Sequence, residues 1–219
     1  MKLITEAERE RIREAVAAAE GRTAGEIVPY IVAQSGGYEV AIWRGASGAA
    51  VLALGLALLI SSVYTGWGLG WLYTNWGTAL AALVAGTLGA LGTAYVPAVK
   101  RWVAGADRLS RTVHRRAMQA FVEEQIFKTR DRTGILLFIS LFEHRIEVLG
   151  DEGINQKVTE DEWVDVVLRI RKGIKEGHLA DGLVEAIEMC GHLLERQGVA
   201  IRPDDANELP DDIRIRGDN

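Results

Sequence analysis

No Asp, Glu, Lys, Arg or His occurs between Arg44 and Lys100, a gap of 55 residues in a chain whose overall content of charged residues is 25%. A soluble domain of that composition has no reason to exclude charge for so long, whereas two bilayer spans of roughly 20 residues each and a turn require about that length. The gap predicts that residues 45–99 cross a bilayer twice as a helical hairpin. Residues 46–64 form the first span and 77–96 the second. Between them Gly66, Trp67, Gly68, Gly70, Trp71, Tyr73, Asn75 and Trp76 make an uncharged connector rich in aromatics, which favour the headgroup level, so it belongs at the far interface. Trp43 and Trp102 mark the near one.

Lys and Arg accumulate on cytoplasmic flanks. Arg44 precedes the first span, while Lys100, Arg101, Arg108, Arg111, Arg115 and Arg116 follow the second, and the connector has none. Both termini are therefore expected on the cytoplasmic side of a bacterial inner (plasma) membrane, with these seven residues at the membrane surface facing anionic headgroups. That attraction, about 1 kcal/mol per residue near the surface, explains the basic block without invoking nucleic acid. Small residues recur every four positions in both spans, at Gly45, Ala49, Ala53 and Ala57 and at Ala82, Gly86, Ala90 and Ala94, which lets helices approach closely. The two rows either pack on each other or, with Gly48, Gly89 and Gly92, leave a second face for a homo-oligomer. With no ionisable group in either span, a charge-coupled ion path is not expected.

The flanking segments read as a small α/β domain, a sheet covered by helices and interrupted by the hairpin. The divisions are 1–44, 45–99, 100–198 and an acidic tail, 199–219. Thr5 and Glu8 form a capping box that opens a helix to Glu20, with Ile12, Ala15, Val16 and Ala19 on one stripe. This charged start lacks the pattern of a signal peptide. Residues 26–34 read as a strand despite Pro29, which requires an edge position or an amide left unpaired. A basic helix follows with Leu109, Val113, Ala117 and Phe121 on its face. Residues 135–140 form a continuous apolar strand covered on both faces, and residues 144–149 its hairpin partner. Thr159 and Glu162 make a second capping box before a helix carrying Trp163, Val166, Val167, Ile170 and Ile174. The last helix runs from Leu179 to about Gln197 and stops at Gly198. The tail from Arg202 onward has the composition of an irregular segment. No internal repeat is present, and the single cysteine, Cys190, reads as a small apolar helix residue.

Several stretches resemble the TPM domain family: Arg22-Thr23-Ala24-Gly25-Glu26-Ile27-Val28, Thr129 through Ser140, Arg145-Ile146-Glu147-Val148-Leu149, Asp151-Glu152-Gly153-Ile154, Trp163, and Gly177-His178-Leu179-Ala180-Asp181-Gly182-Leu183. Together they cover residues 4–198, and with the tail Arg202 to Pro210 they look like a bacterial membrane branch with an inserted two-span hairpin. The resemblance implies an acid phosphatase, a divalent-cation binder or an assembly factor for membrane complexes. No residue spacing chooses among these. No Walker loop, H-E-x-x-H or G-x-S-x-G motif occurs, and the four histidines show no catalytic spacing.

Asp131 precedes the apolar strand, while Asp151 and Glu152 follow its partner. In an antiparallel hairpin those ends lie together, so a hard cation, Ca2+ or Mg2+, has candidate ligands in Asp131, Asp151, Glu152 and Asp181. The alternative is that the first three organise loops and Asp181 caps a helix. Arg130 and Arg132 oppose a cation there and favour a phosphate. The expected function is a membrane-anchored, cytoplasm-facing module for protein interaction or assembly. A cation-dependent phosphatase and an oligomeric assembly with a pore are the alternatives.

Overall fold

The computed structural model describes residues 4–63, 70, 74–201 and 207–217. Two compact units emerge: residues 1–35 with 112–219, and residues 36–111. The second is wider than the uncharged stretch because it takes in the helical segments on either side of it.

The first unit is built on a four-stranded mixed sheet, in the order β3-β2-β1-β4. β1 (Glu26–Val32) and β2 (Gly134–Ser140) run parallel in the register Glu26 to Gly134. β3 (Arg145–Gly150) pairs antiparallel with β2, and β4 (Arg214–Arg216) parallel with β1. The parallel β1–β2 pair needs a crossover between Val32 and Gly134, and the apolar helices fall within it. The sheet is sandwiched. Ile27, Ile31, Ile135, Leu137 and Ile139 face a layer made by α1 (Glu6–Glu20), α7 (Val164–Glu176) and α8 (Leu179–Arg196). Val28, Tyr30, Val32, Leu136 and Phe138 face Val113, Ala117 and Ala120 of α5 (Ala106–Glu123). Alternate residues of both strands are thus apolar on both sides, as their unbroken apolar runs require.

Local signals explain the element ends. Thr5 and Glu8 close their capping box at the start of α1, and Thr159 and Glu162 close the second one, which opens a short 3-10 turn leading into α7. Gly177, at φ 78°, ends α7 in the left-handed conformation that glycine adopts freely.

Pro29 sits in an interior strand. Amides of a strand alternate in direction, and Glu26 N donates to Thr133 O on the β2 side, whereas Ile27 N donates to the Glu20 carboxylate on the other. Pro29 lacks its hydrogen on that second side, where β4 begins to pair only at Tyr30. No ladder bond is lost, so the unpaired-amide alternative holds and the edge alternative does not.

The C-terminal segment departs from the expected irregular tail. Residues 202–206 lie outside the described residues, but residues 207–217 return to the sheet, burying Leu209 and Ile213 and adding β4. Arg214 and Arg216 both pair with Glu124.

Where β1 and β2 end, Ser35, Ser140 and Glu143 are buried together. The Glu143 carboxylate accepts from Ser35 N at 3.0 Å and from the Ser140 hydroxyl, and the two serine hydroxyls lie 2.6 Å apart. This clamp fixes the chain as it leaves the sheet. Glu143→Ala leaves the buried Ser35 amide without its acceptor and is expected to cost about 2 kcal/mol, read as a lower unfolding midpoint of the full chain in detergent.

The second unit contains α2 (Glu39–Val63), α3 (Asn75–Tyr95) and α4 (Pro97–Ala104). Both α2 and α3 are long and apolar enough to cross a membrane, and only 6% and 11% of their most apolar stretches are buried. They pack through small residues. A Cβ on Gly89 would collide with the Gly45 carbonyl and come within 2.6 Å of Ala49 Cβ, and one on Gly86 would lie 3.3 Å from Ala46 O. Gly45, Ala49, Ala53 and Ala57 all lie on the more buried side of α2. On α3 so do Ala82, Gly86 and Ala90, but Ala94 is exposed and buried Thr93 takes the contact next to Gly45. Gly89 therefore belongs to this contact and not to a second face. Gly48 and Gly92 meet open space. Of the expected connector, Gly66, Trp67, Gly68, Trp71 and Tyr73 lie outside the described residues.

Candidate functional site

The β2–β3 hairpin brings the start of one strand beside the end of the next, with Ile135 opposite Gly150. The loop before β2 and the turn after β3 therefore meet. Asp151 N donates to Gly134 O at 2.9 Å, and Gly153 N donates to Arg132 O at 2.9 Å. Asp151 caps α6 (Glu152–Asn155) by accepting from Glu152 N at 2.8 Å. Its side chain is 6% exposed, and the second oxygen, Oδ2, faces Arg132 Nε at 3.0 Å but makes no well-aligned hydrogen bond. Arg132 adopts φ 58° and its guanidinium also donates to Phe127 O and lies 5.9 Å from the Phe127 ring.

Asp131 contributes its main chain to this junction, since a Cβ on Gly153 would collide with the Asp131 carbonyl. Its side chain is exposed, as is that of Glu152. Asp181 is elsewhere. It lies in the first turn of α8, whose N-cap is His178, and pairs with Arg11 of α1 at 2.7 Å. Among the described residues no cluster of three or more His, Cys, Asp or Glu is close enough to hold a metal ion together. The structure brings the loops of Asp131 and Asp151 together and keeps Asp181 apart.

Beside this junction opens a groove of about 620 Å³, lined by Phe121, Leu149, Asp151, Glu152, Asn155 and Trp163 among others. It was not apparent from sequence, because its walls come from α5, β3 and the turns after it. Three of the four histidines lie beside carboxylates: His114 Nδ1 is 2.9 Å from Glu147, and His178 and His192 are 3.8 Å from Asp181 and Glu195. Cys190 is fully buried, and burial pushes its thiol up to about 12, which makes it a poor nucleophile.

A second acidic junction ties the C-terminal segment down. Glu26 accepts from Glu208 N at 3.1 Å and Leu209 N at 3.2 Å. Glu20 accepts from Ile27 N at 2.8 Å, and the Glu208 carboxylate accepts from Arg130 N at 2.9 Å. Burial pushes the Glu20 carboxyl up to about 9 despite the Ile27 bond, with Glu26 and Asp211 adding to the rise. Burial also raises Glu26, against the two amide donors that lower it.

A three-layer α/β unit whose acidic turns meet at one end of a β-hairpin, with two long apolar helices placed in its crossover, describes a class rather than a particular protein. The family model of the TPM domain matches residues 99–193, the part of the chain that follows the second apolar helix. The NMR structure of the BA42 protein from the psychrophilic bacterium Bizionia argentinensis is similar in fold, with a TM-score of 0.57 and 20% identity over 97% of this chain and 95% of that one. No curated protein matches.

Proposed function

We propose that the protein is a membrane-anchored TPM-domain module: α2 and α3 cross the inner membrane of a bacterium as a hairpin, and the α/β unit docks other membrane proteins or further copies of itself on the cytoplasmic side. The observation that carries this reading is the outward apolar surface of both helices, combined with the use of their small residues on each other. Leu52, Leu58, Leu59, Leu83 and Leu88 are all largely exposed, an arrangement that water penalises and lipid does not. The positive flanks support the orientation. In native membranes the full chain is expected to resist alkaline carbonate extraction, and protease added outside sealed cells to spare the C-terminal region. Release by carbonate, or loss of that region, overturns the reading.

A second reading is favoured by one atom. Asp151 Oδ2 is buried without an aligned donor, which is the condition a hard cation relieves. The carbonyls of Asp131 and Arg132 and the side chain of Glu152 lie at the same junction, and Arg132 supplies the charge in place of a cation. Arg132→Gln is expected to raise affinity for Ca2+ at least tenfold, about 1.4 kcal/mol, measured by calorimetry on the full chain in detergent. Unchanged affinity removes the cation from the proposal.

A further inference from the structure

The unit formed by residues 36–111 contains an open cavity of about 540 Å³ lined by Arg44, Ala104, Gly105, Ala106, Asp107, Arg108 and Arg111. Three arginines from two helices line it. Arg44 comes from α2, at the last charged position before the uncharged stretch, and Arg108 and Arg111 come from the first two turns of α5. Among the described residues none of the three has a carboxylate partner, and the only acid in the wall is Asp107. The corner between α4 and α5 is made by Gly105, whose φ of 84° turns the chain so that α5 starts at the cavity. The first intrahelical acceptor there is Gly105 O, which receives Leu109 N, leaving the amides of Asp107 and Arg108 without helical acceptors.

Three arginines without carboxylate partners around one cavity favour an anion, and the planar guanidinium fork matches a phosphate well. The volume fits a small-molecule headgroup. Trp43 is 76% exposed next to Arg44, and Trp102 is 83% exposed on α4. Amphipathic rings of this kind seek the headgroup layer.

We propose that this cavity is a discrete site for the phosphate of an anionic phospholipid headgroup, held by Arg44, Arg108 and Arg111. It rests on the bilayer reading above and adds to it stoichiometric, selective binding in place of diffuse attraction. Asp107 opposes a single anion less than three arginines attract it.

The test is native mass spectrometry of the full chain in neutral detergent, titrated with phosphatidylglycerol or phosphatidylcholine. One phosphatidylglycerol per chain is expected, bound at least tenfold more tightly than phosphatidylcholine. Arg108→Gln combined with Arg111→Gln is expected to abolish that preference. Arg115→Gln with Arg116→Gln, equal in charge but outside the cavity, is expected to keep it. Equal loss in both pairs means diffuse attraction and overturns the site. Inorganic phosphate alone binding as well as the lipid overturns the lipid as occupant. Arg108→Lys with Arg111→Lys preserves charge without the fork, and an intermediate preference is expected, with full retention overturning recognition by the fork. A chain that stays in membranes after carbonate treatment but shows no lipid preference loses only this proposal, whereas one that carbonate releases loses the anchor.

Discussion

Raising the pH from about 5 to about 9 is expected to destabilise the α/β unit steadily, and replacing Glu20 by Gln is expected to remove most of that slope. Burial holds the Glu20 carboxyl at about 9 against an ordinary value of 4.5. The folded chain keeps a proton that the unfolded chain gives up near 4.5. Stability from this group is therefore complete below that value and is lost as pH rises through about 9, at most about 1.4 kcal/mol per pH unit. Glu20 is half-buried, so solvent screening reduces the total to about 2–4 kcal/mol. Glu26 shifts in the same direction and adds to the slope. The groups around the pair are Ile27 N, Asn207, Glu208, Leu209 N and Asp211, so ionisation places negative charge where the C-terminal segment docks. Gln keeps an oxygen for Ile27 N and removes the charge. Unfolding midpoints of the full chain in detergent, across this pH range, check the claim: an equal slope in Glu20→Gln assigns the pH dependence to other groups.

This junction also shows where sequence reasoning stops. Capping boxes, the apolar run of β2 and the uncharged stretch are local patterns, and they mark α1, the central strand and the long helices directly. A strand of three residues has no period to detect. Arg214, Ile215 and Arg216 join the sheet through main-chain bonds to β1, with Leu209 and Ile213 as apolar anchors, inside a segment whose acidity reads as solvated. Nothing in the sequence marks Glu20 and Glu26 as acceptors for amides some 180 residues away. At the hairpin junction the meeting of the Asp131 and Asp151 loops followed from strand geometry alone. The arginine beside Asp131 was visible as a competitor for a cation, but only the fold shows that Arg132 reaches Asp151. Asp181 shares residue type and a turn with the others, and tertiary placement on α8 beside Arg11 separates it from them.

Gly153→Val is expected to have the largest effect of any single substitution at that junction, about 3–5 kcal/mol, the range reserved for changes with a definite steric cause. Gly153 lies in the four-residue helix α6 with its backbone pressed on the loop before β2. A Cβ there would collide with Asp131 O and lie 2.8 Å from Arg132 O, both main-chain atoms that cannot rotate away. Relief requires the two segments to separate, which stretches the Gly153 N to Arg132 O and Asp151 N to Gly134 O bonds and pulls Arg132 from Asp151. Gly134 cannot shift to compensate, because its own Cα side is packed against Ile126. Glu152→Ala, one position away, removes a neighbouring acid and only a long 3.4 Å bond from Gln156, and its cost should stay within about 0.5 kcal/mol. The pair separates close backbone approach from acidity as the property the turn needs. Equal thermal midpoints for the two variants in detergent would show that the loops part without penalty, and the junction would then lose its claim to be a fixed site.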